Sequence, residues 1–141
     1  MPATYIEAIS PPLRHTAKVI HGEKVGRTIG FPTANFSAPP KDEDLKPGVY
    51  FGKCTIIGTK DTETITKDCL AYFGPRYIFG EEVNSFEVYI YDFDQHIYGQ
   101  DVTAVLSHFM RPPEKIKTIA QLQQLLEHDK VSGELLRSKE K

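Results

Sequence analysis

Residues 21–36, His-Gly-Glu-Lys-Val-Gly-Arg-Thr-Ile-Gly-Phe-Pro-Thr-Ala-Asn-Phe, concentrate the residue types able to do chemistry. Gly22, Gly26 and Gly30 free the backbone for close approach to a ligand, and Arg27 sets a forked cation among them. The rigid Pro32 then delivers Thr33 and Asn35. This order suggests a phosphate site followed by a metal site. If the chain is extended after Pro32, residues two apart point to the same face, so Thr33 and Asn35 present a hydroxyl and an amide oxygen together. Such hard, neutral oxygens suit Mg²⁺, which is usually shared between one or two protein groups and a nucleotide's phosphates. The same residue types also build ordinary turns, and composition alone does not separate the two readings. The loop is not a Walker A motif, since no Gly-Lys-Ser/Thr closes it, and it lacks Gly-x-Gly-x-x-Gly.

The elements that must position this loop read as strands. Ala17-Lys18-Val19-Ile20 leads into it, after an irregular start from Met1 to Pro12. A polar, proline-rich and mobile connection is expected from Ser37 to Asp44. Val49–Ile57 and Ile65–Phe73, rich in β-branched and aromatic residues, read as two strands of a hairpin, antiparallel because the connection through Gly58 and Lys60-Asp61-Thr62 is too short for a helical crossover. Phe86–Phe93 alternates strictly, with Phe86, Val88 and Ile90 on one face and Glu87, Tyr89 and Tyr91 on the other. Val102–Met110 reads as a further strand, stopped by Arg111-Pro112-Pro113. Thr118 and Gln121 are spaced as a capping box, and Ile119, Leu122, Leu125 and Leu126 line one stripe of the helix that follows. Ser132–Lys141 is expected to add one or two turns through Leu135 and Leu136. About six strands with short turns and one terminal helix give a mainly β architecture, an antiparallel barrel with a helix packed on it.

Bulk properties narrow the function classes. The 141 residues are expected to form one domain, 1–141, large enough for a single core. A net charge of −2 provides no basic field for nucleic acid or an anionic membrane. No apolar run approaches the ~20 residues of a membrane span, and Met1–Glu7 lacks the charged start and apolar core of a signal peptide. A cytoplasmic protein that binds neither nucleic acid nor membrane is expected. Cys54 and Cys69 are then read as reduced, strand-buried thiols, and the five histidines lack metal-ligand spacing.

The string Gly26-Arg27-Thr28-Ile29-Gly30-Phe31-Pro32-Thr33-Ala34-Asn35-Phe36 resembles the signature of riboflavin kinase, which phosphorylates riboflavin to FMN. The resemblance continues through Gly48-Val49-Tyr50, through Phe86–Gly99 and through Arg111-Pro112 with the helix to Asp129, so the similar core runs over about residues 13–129. It implies a six-stranded antiparallel Greek-key barrel with a C-terminal helix, acting as a monomer with ATP as co-substrate. The implied metal is Mg²⁺, with Zn²⁺ or Mn²⁺ as alternatives. Glu87 falls at the position of the family's base on the ribityl 5′-hydroxyl, which fits the need of an attacking alcohol to lose its proton. Thr33 and Asn35 resemble the ligands of the metal in metal–ATP, and Gly22, Gly26 and Arg27 the nucleotide loop. Ile90, Asp92 and Tyr98 fall where adenosine contacts are expected, and Arg111, Glu114 and Lys115 where the flavin is bordered.

The chain departs from the family pattern in three places. Pro113 and Glu114 stand where Glu and Lys usually follow Arg-Pro, Tyr89 replaces a common histidine two after the base, and Gly74-Pro75-Arg76-Tyr77 only loosely resembles the Gly-x-Arg/Asn-Pro loop. These touch substrate affinity more than reaction type, and leave a non-catalytic flavin- or nucleotide-binding barrel as the alternative. Bacterial members are typically fused to an adenylyltransferase that makes FAD. The present length leaves no room for one, so a stand-alone type or an excised domain is expected, without FAD synthesis.

Overall fold

The computed structural model describes residues 6–20, 33–77, 80, 82–93 and 95–139. Six strands, β1 (Glu7–Ile20), β2 (Ala34–Phe36), β3 (Gly48–Ile56), β4 (Ile65–Pro75), β5 (Asn84–Ile90) and β6 (Asp101–Arg111), precede one helix, α1 (Ile119–Lys139). Every neighbouring pair is antiparallel, and the ring closes in the order β1-β2-β5-β4-β3-β6. Strands β3, β4 and β5 form a meander, flanked by β2 on one side and β6 on the other. Each flank makes a Greek key. The expected mainly β Greek-key barrel with a terminal helix is therefore the observed fold.

Alternation assigns the two faces of the sheet. Phe36, Tyr50, Cys54, Cys69, Phe73, Phe86, Val88, Val102 and Leu106 fill the barrel. Val49, Phe51, Leu70, Tyr91 and Met110 face outward and are covered by α1 through Leu136. This second cluster explains why β3 and β4 carry apolar residues on both faces. The helix lies unusually close: a Cβ on Gly133 would overlap Tyr91 Oη and Leu70 Cδ2. Tyr91 Oη donates to the Lys130 carbonyl at 2.8 Å at the same crossing.

Several boundaries differ from the sequence reading. The stretch up to Pro12 is not irregular, because β1 begins at Glu7 and pairs with β6 on both sides of a register shift between Ala8 and Leu13. Pro11 and Pro12, which cannot donate to a ladder, fall inside that shift. Strand β5 ends at Ile90, not Phe93, because Asp92 takes a left-handed φ of 54°, a conformation that Asp tolerates better than most residues. The 37–47 connection is tethered, with His15 Nε2 and the Ala38 carbonyl 2.7 Å apart, Asn84 Nδ2 donating to Asp42 Oδ1 at 2.8 Å, and Leu45 buried.

The helix starts on the expected capping box: Gln121 N donates to Thr118 Oγ1 at 3.1 Å and Thr118 N to Gln121 Oε1 at 3.2 Å. It then runs unbroken to Lys139, which includes the turns expected after Ser132. Its buried side passes through Asp129, Ser132, Gly133 and Leu136, the expected Leu122, Leu125 and Leu126 are half-buried, and Ile119 and Leu135 face solvent. The small residues at 132 and 133 admit the barrel where larger ones would hold it off. Cys54 and Cys69 are free thiols in the barrel. The neighbouring Cys54 and burial push the Cys69 thiol well above its ordinary range, which leaves it inert as a nucleophile.

Candidate active site on the outer face of the barrel

One row of paired residues crosses the sheet on its outer side. Asn35 on β2 opposes Glu87 on β5, Glu87 opposes Tyr72 on β4, Tyr72 opposes Val49 on β3, and Val49 opposes Arg111 on β6. Period-two alternation sets this row, because Phe36, Phe73, Phe86 and Val88 point the other way, into the core. Directly behind it the Phe36 and Phe86 rings meet edge to face, with centroids 4.9 Å apart. That contact fixes the β2–β5 pair from inside and holds the backbone beneath Asn35 and Glu87.

Thr33 and Asn35 share the face of Glu87. Thr33 Oγ1 donates to Glu87 Oε1 at 3.3 Å, and all three side chains are half-buried. A hydroxyl, an amide and a carboxylate thus gather on one short strand pair. Among the described residues no three His, Cys, Asp or Glu side chains gather as a metal cluster. The donor set at Thr33 and Asn35 instead fits a divalent cation that carries most of its own ligands as phosphate oxygens and water.

Tyr72 flanks Glu87 on the other side. Its hydroxyl donates to the Pro75 carbonyl at 2.5 Å. Burial, reinforced by Tyr77 and by the charge of Glu87, pushes the phenol up to about 12, so it remains a neutral donor. Beyond it, Arg111 forks onto Asp129 of α1: Nε to Oδ1 and Nη2 to Oδ2, each 2.7 Å. Its Nη1 donates to the Pro112 carbonyl at 3.0 Å. Asp129 is 3% exposed. Burial lifts its carboxyl above the ordinary range against the opposing pull of Arg111.

The segment after Arg111 leans over this end of the row. Glu114 and Lys115 are exposed on it, and Lys115 Nζ stands 5.8 Å from the centre of the Tyr77 ring. The remaining candidates lie elsewhere. Ile90 turns its side chain into the barrel. Asp92 gives its carboxylate to Arg137 Nη2 at 2.8 Å, on the helix side, and that contact holds it below its ordinary range. Tyr98 stacks on His96 with centroids 5.9 Å apart. Its turn is bonded to the end of β1, with Gly99 N donating to the Val19 carbonyl at 2.7 Å. Gly22, Gly26 and Arg27 lie outside the described residues.

Tyr72 and Asp129 were not among the residues singled out from sequence. For Tyr72 the available signal was its place between the inward-facing Ala71 and Phe73. For Asp129 it was an acid on the same helical stripe as Leu122, Leu126 and Leu136.

The family model for riboflavin kinase, Flavokinase, matches residues 9–134. The chain belongs to the riboflavin kinase family. The match takes in the whole row from Asn35 to Arg111 and the helix as far as Glu134, with Asp129 inside it. Among the chain's relatives, a bifunctional riboflavin kinase/FMN adenylyltransferase of Haemophilus influenzae is 36% identical over 121 residues, which are 86% of this chain and 37% of that one. The corresponding Listeria monocytogenes protein is 38% identical over 112 residues, 79% of this chain and 34% of that one. The chain thus spans about a third of the length of these curated relatives. In solved structures the barrel resembles a riboflavin kinase from Trypanosoma brucei, with a TM-score of 0.62 and 23% identity over 89% of this chain and 80% of that one. It also resembles a structure described as a macrolide-efflux protein from Streptococcus pneumoniae, with a TM-score of 0.64 and 32% identity over 87% of this chain and 39% of that one. No helix among the described residues is long and apolar enough to cross a membrane.

Proposed function

We propose that this flavokinase chain transfers the γ-phosphoryl group of ATP to the ribityl 5′-hydroxyl of riboflavin, giving FMN and ADP, and that it does so as a cytoplasmic monomer. The observation that carries this reading is the cluster of Thr33, Asn35 and Glu87, with Asn35 and Glu87 in register and Thr33 Oγ1 3.3 Å from the Glu87 carboxylate. A carboxylate beside two neutral oxygen ligands is what the transfer requires: one group to take the proton of the attacking alcohol, the others to orient a metal-bound triphosphate.

In this reading Thr33 and Asn35 hold Mg²⁺, which when bound neutralises charge on the phosphate oxygens. The Glu87 carboxylate accepts the hydroxyl proton as the new O–P bond forms and the bond from phosphorus to the ADP oxygen breaks. Because the transition state for phosphoryl transfer is loose, alignment of the hydroxyl with the phosphorus contributes more than the strength of the base. The rigid β2–β5 pair supplies that alignment. Gly22, Gly26 and Arg27 cradle the phosphates, the Tyr98 turn at the end of β1 borders the nucleotide, and Asp92 and the main chain at Ile90 are more distant nucleotide contacts. Arg111, Glu114 and Lys115 border the flavin.

Chromatographic detection of FMN from riboflavin, ATP and Mg²⁺ tests the proposal. The native chain forms FMN, and Glu87→Gln, which keeps shape and loses the acceptor charge, is slower by on the order of 10²–10⁴-fold while still binding riboflavin. Native protein that binds flavin and nucleotide without forming FMN would instead favour the non-catalytic barrel.

A further inference from the structure

Glu87 has different neighbours on its two sides. On the β2 flank stand the hydroxyl of Thr33 and the amide of Asn35, and on the β4 flank stands the ring of Tyr72. Directly opposed side chains on one face of an antiparallel pair lie roughly 5 Å apart, so neither flank is remote from the carboxylate. Displacement at phosphorus proceeds roughly in line, with attacking and leaving oxygens on opposite sides. If the metal-bound triphosphate occupies the β2 flank, the acceptor alcohol must reach Glu87 from the β4 flank. This step rests on the proposed phosphotransferase reading.

The β4 flank is built for close packing. Tyr72 Oη is bonded to the Pro75 carbonyl, three residues on at the end of the same strand. Gly74 lies between them, and a Cβ there would sit 2.9 Å from Tyr72 Oη and 3.5 Å from Pro113 Cγ. The hydroxyl end of Tyr72, the strand end at Pro75 and the segment after Arg111 therefore converge where only glycine fits. Lys115 over the Tyr77 ring joins the same two segments a second time. Ser85 Oγ donates to the Gly74 carbonyl at 3.3 Å and ties this corner to β5.

We infer that Tyr72 is a positioning residue for the acceptor: its ring walls the β4 flank of Glu87, and its hydroxyl latches Pro75 beside Pro113 so that the riboflavin site keeps its shape. The phenol does no proton transfer, since it remains neutral and its hydrogen is committed to a carbonyl. Its effect falls on the acceptor and not on the nucleotide, which lies across Glu87. Tyr72→Phe retains the wall and removes only the latch, and Tyr72→Ala removes both. Tyr91 is a matched control, because its hydroxyl also donates to a main-chain carbonyl, that of Lys130, but under the helix.

Initial rates with riboflavin and ATP varied in turn, on the full chain, test the inference, together with riboflavin fluorescence titration without ATP. Losing one hydrogen bond of ordinary strength is expected to raise the riboflavin KM of Tyr72→Phe roughly fivefold, with the ATP KM and kcat unchanged. Tyr72→Ala raises it further. Tyr91→Phe melts earlier than the native chain and leaves both KM values where they were. Equal shifts in the riboflavin and ATP KM of Tyr72→Phe, no shift in either, or the same riboflavin shift in Tyr91→Phe would overturn it. If the native chain forms no FMN, the phosphotransferase reading fails, and the titration still decides Tyr72: weaker flavin binding by Tyr72→Phe than by native protein supports the role. Equal binding, or none by the native chain, ends it.

Discussion

Arg111 and Asp129 are joined by two 2.7 Å hydrogen bonds between the end of β6 and the middle of α1. The pair is nearly dry, and burial raises the Asp129 carboxyl even with the guanidinium against it. Desolvation therefore outweighs attraction at this carboxylate, as is common for buried ion pairs. The pair's clearest role is geometric. It fixes where the chain leaves the barrel and so where Pro112–Lys117 stand relative to Tyr72 and Tyr77.

Breaking one half of this pair should be far worse than replacing both. Asp129→Ala strands a buried guanidinium and is expected to cost about 3–5 kcal/mol, whereas Arg111→Met with Asp129→Leu, which fills similar volume without charge, is expected to cost much less. Urea denaturation of the two variants beside the native chain measures the difference. A double variant as unstable as Asp129→Ala would show that the pair contributes net stability.

A second, more exposed ion network ties the far end of the helix. Asp68 on β4 accepts from Lys53 Nζ at 2.7 Å and Arg137 Nε at 3.0 Å, and Arg137 reaches Asp92 as well. Burial would raise Asp68, but the hydrogen bonds from Lys53 and Arg137 outweigh it and hold the carboxyl below 3.8, and Arg137 does the same for Asp92. A depressed folded-state value means that the unfolded chain binds more protons in this range, so the contribution is full above the unfolded value near pH 4 and declines as pH falls through the folded one. The urea midpoint is thus expected to drop between pH 6 and pH 3, and Arg137→Gln to lower it at pH 6 while making the drop smaller. An unchanged drop in that variant would remove the network as its cause.

Much of this arrangement was legible in the residues, and the unread parts share a cause. Strict alternation in β5 placed Glu87 opposite the core set, and two-residue spacing placed Thr33 and Asn35 together, because a strand's side chains obey a period that sequence records directly. The capping box was legible for the same reason. What sequence could not supply was pairing between distant segments. Nothing local to Asp92 names Arg137 as its partner, and although the leucine stripe marks the face on which Asp129 lies, nothing local to it names Arg111. Leu135 and Leu136 were expected together in the added turns, but composition could not tell them apart: the small Ser132 and Gly133 carry the close crossing, Leu136 is buried beside them and Leu135 is 63% exposed. The extension of β1 to Glu7 was hidden by Pro11 and Pro12, which break a local strand pattern but sit in a register shift of the barrel.

Gly133 sharpens that point. In an isolated helix, Gly→Ala stabilises by about 1 kcal/mol. Here the added methyl would overlap Tyr91 Oη and Leu70 Cδ2, so α1 must lift from the barrel and strain the Tyr91–Lys130 bond. Gly133→Ala is expected to lower stability by about 1–3 kcal/mol, the usual range for overpacking. Thermal melting reads the sign directly, and a higher melting temperature would mean that the crossing has room to relax.

The metal-bound half of the proposed reaction separates from the acceptor half by the same kinetics used for Tyr72. Chelation of divalent cations is expected to abolish FMN formation, with Mg²⁺ restoring it. Asn35→Ala removes a neutral oxygen ligand from the β2 flank, and Thr33→Ala removes both a ligand and the donor to Glu87 Oε1. Each should raise the Mg²⁺ concentration for half-maximal rate and the ATP KM, and leave riboflavin binding intact. Outer ligands and their hydrogen-bond partners typically contribute 10–100-fold to metal affinity or activity, and a loss on that order is expected for either variant. The two differ in what survives at saturating Mg²⁺. Asn35→Ala should recover most of its rate, while Thr33→Ala, with Glu87 no longer held by the hydroxyl, should keep a deficit in kcat. Full recovery of both would confine Thr33 to metal binding and leave the orientation of Glu87 to the Phe36–Phe86 contact beneath it.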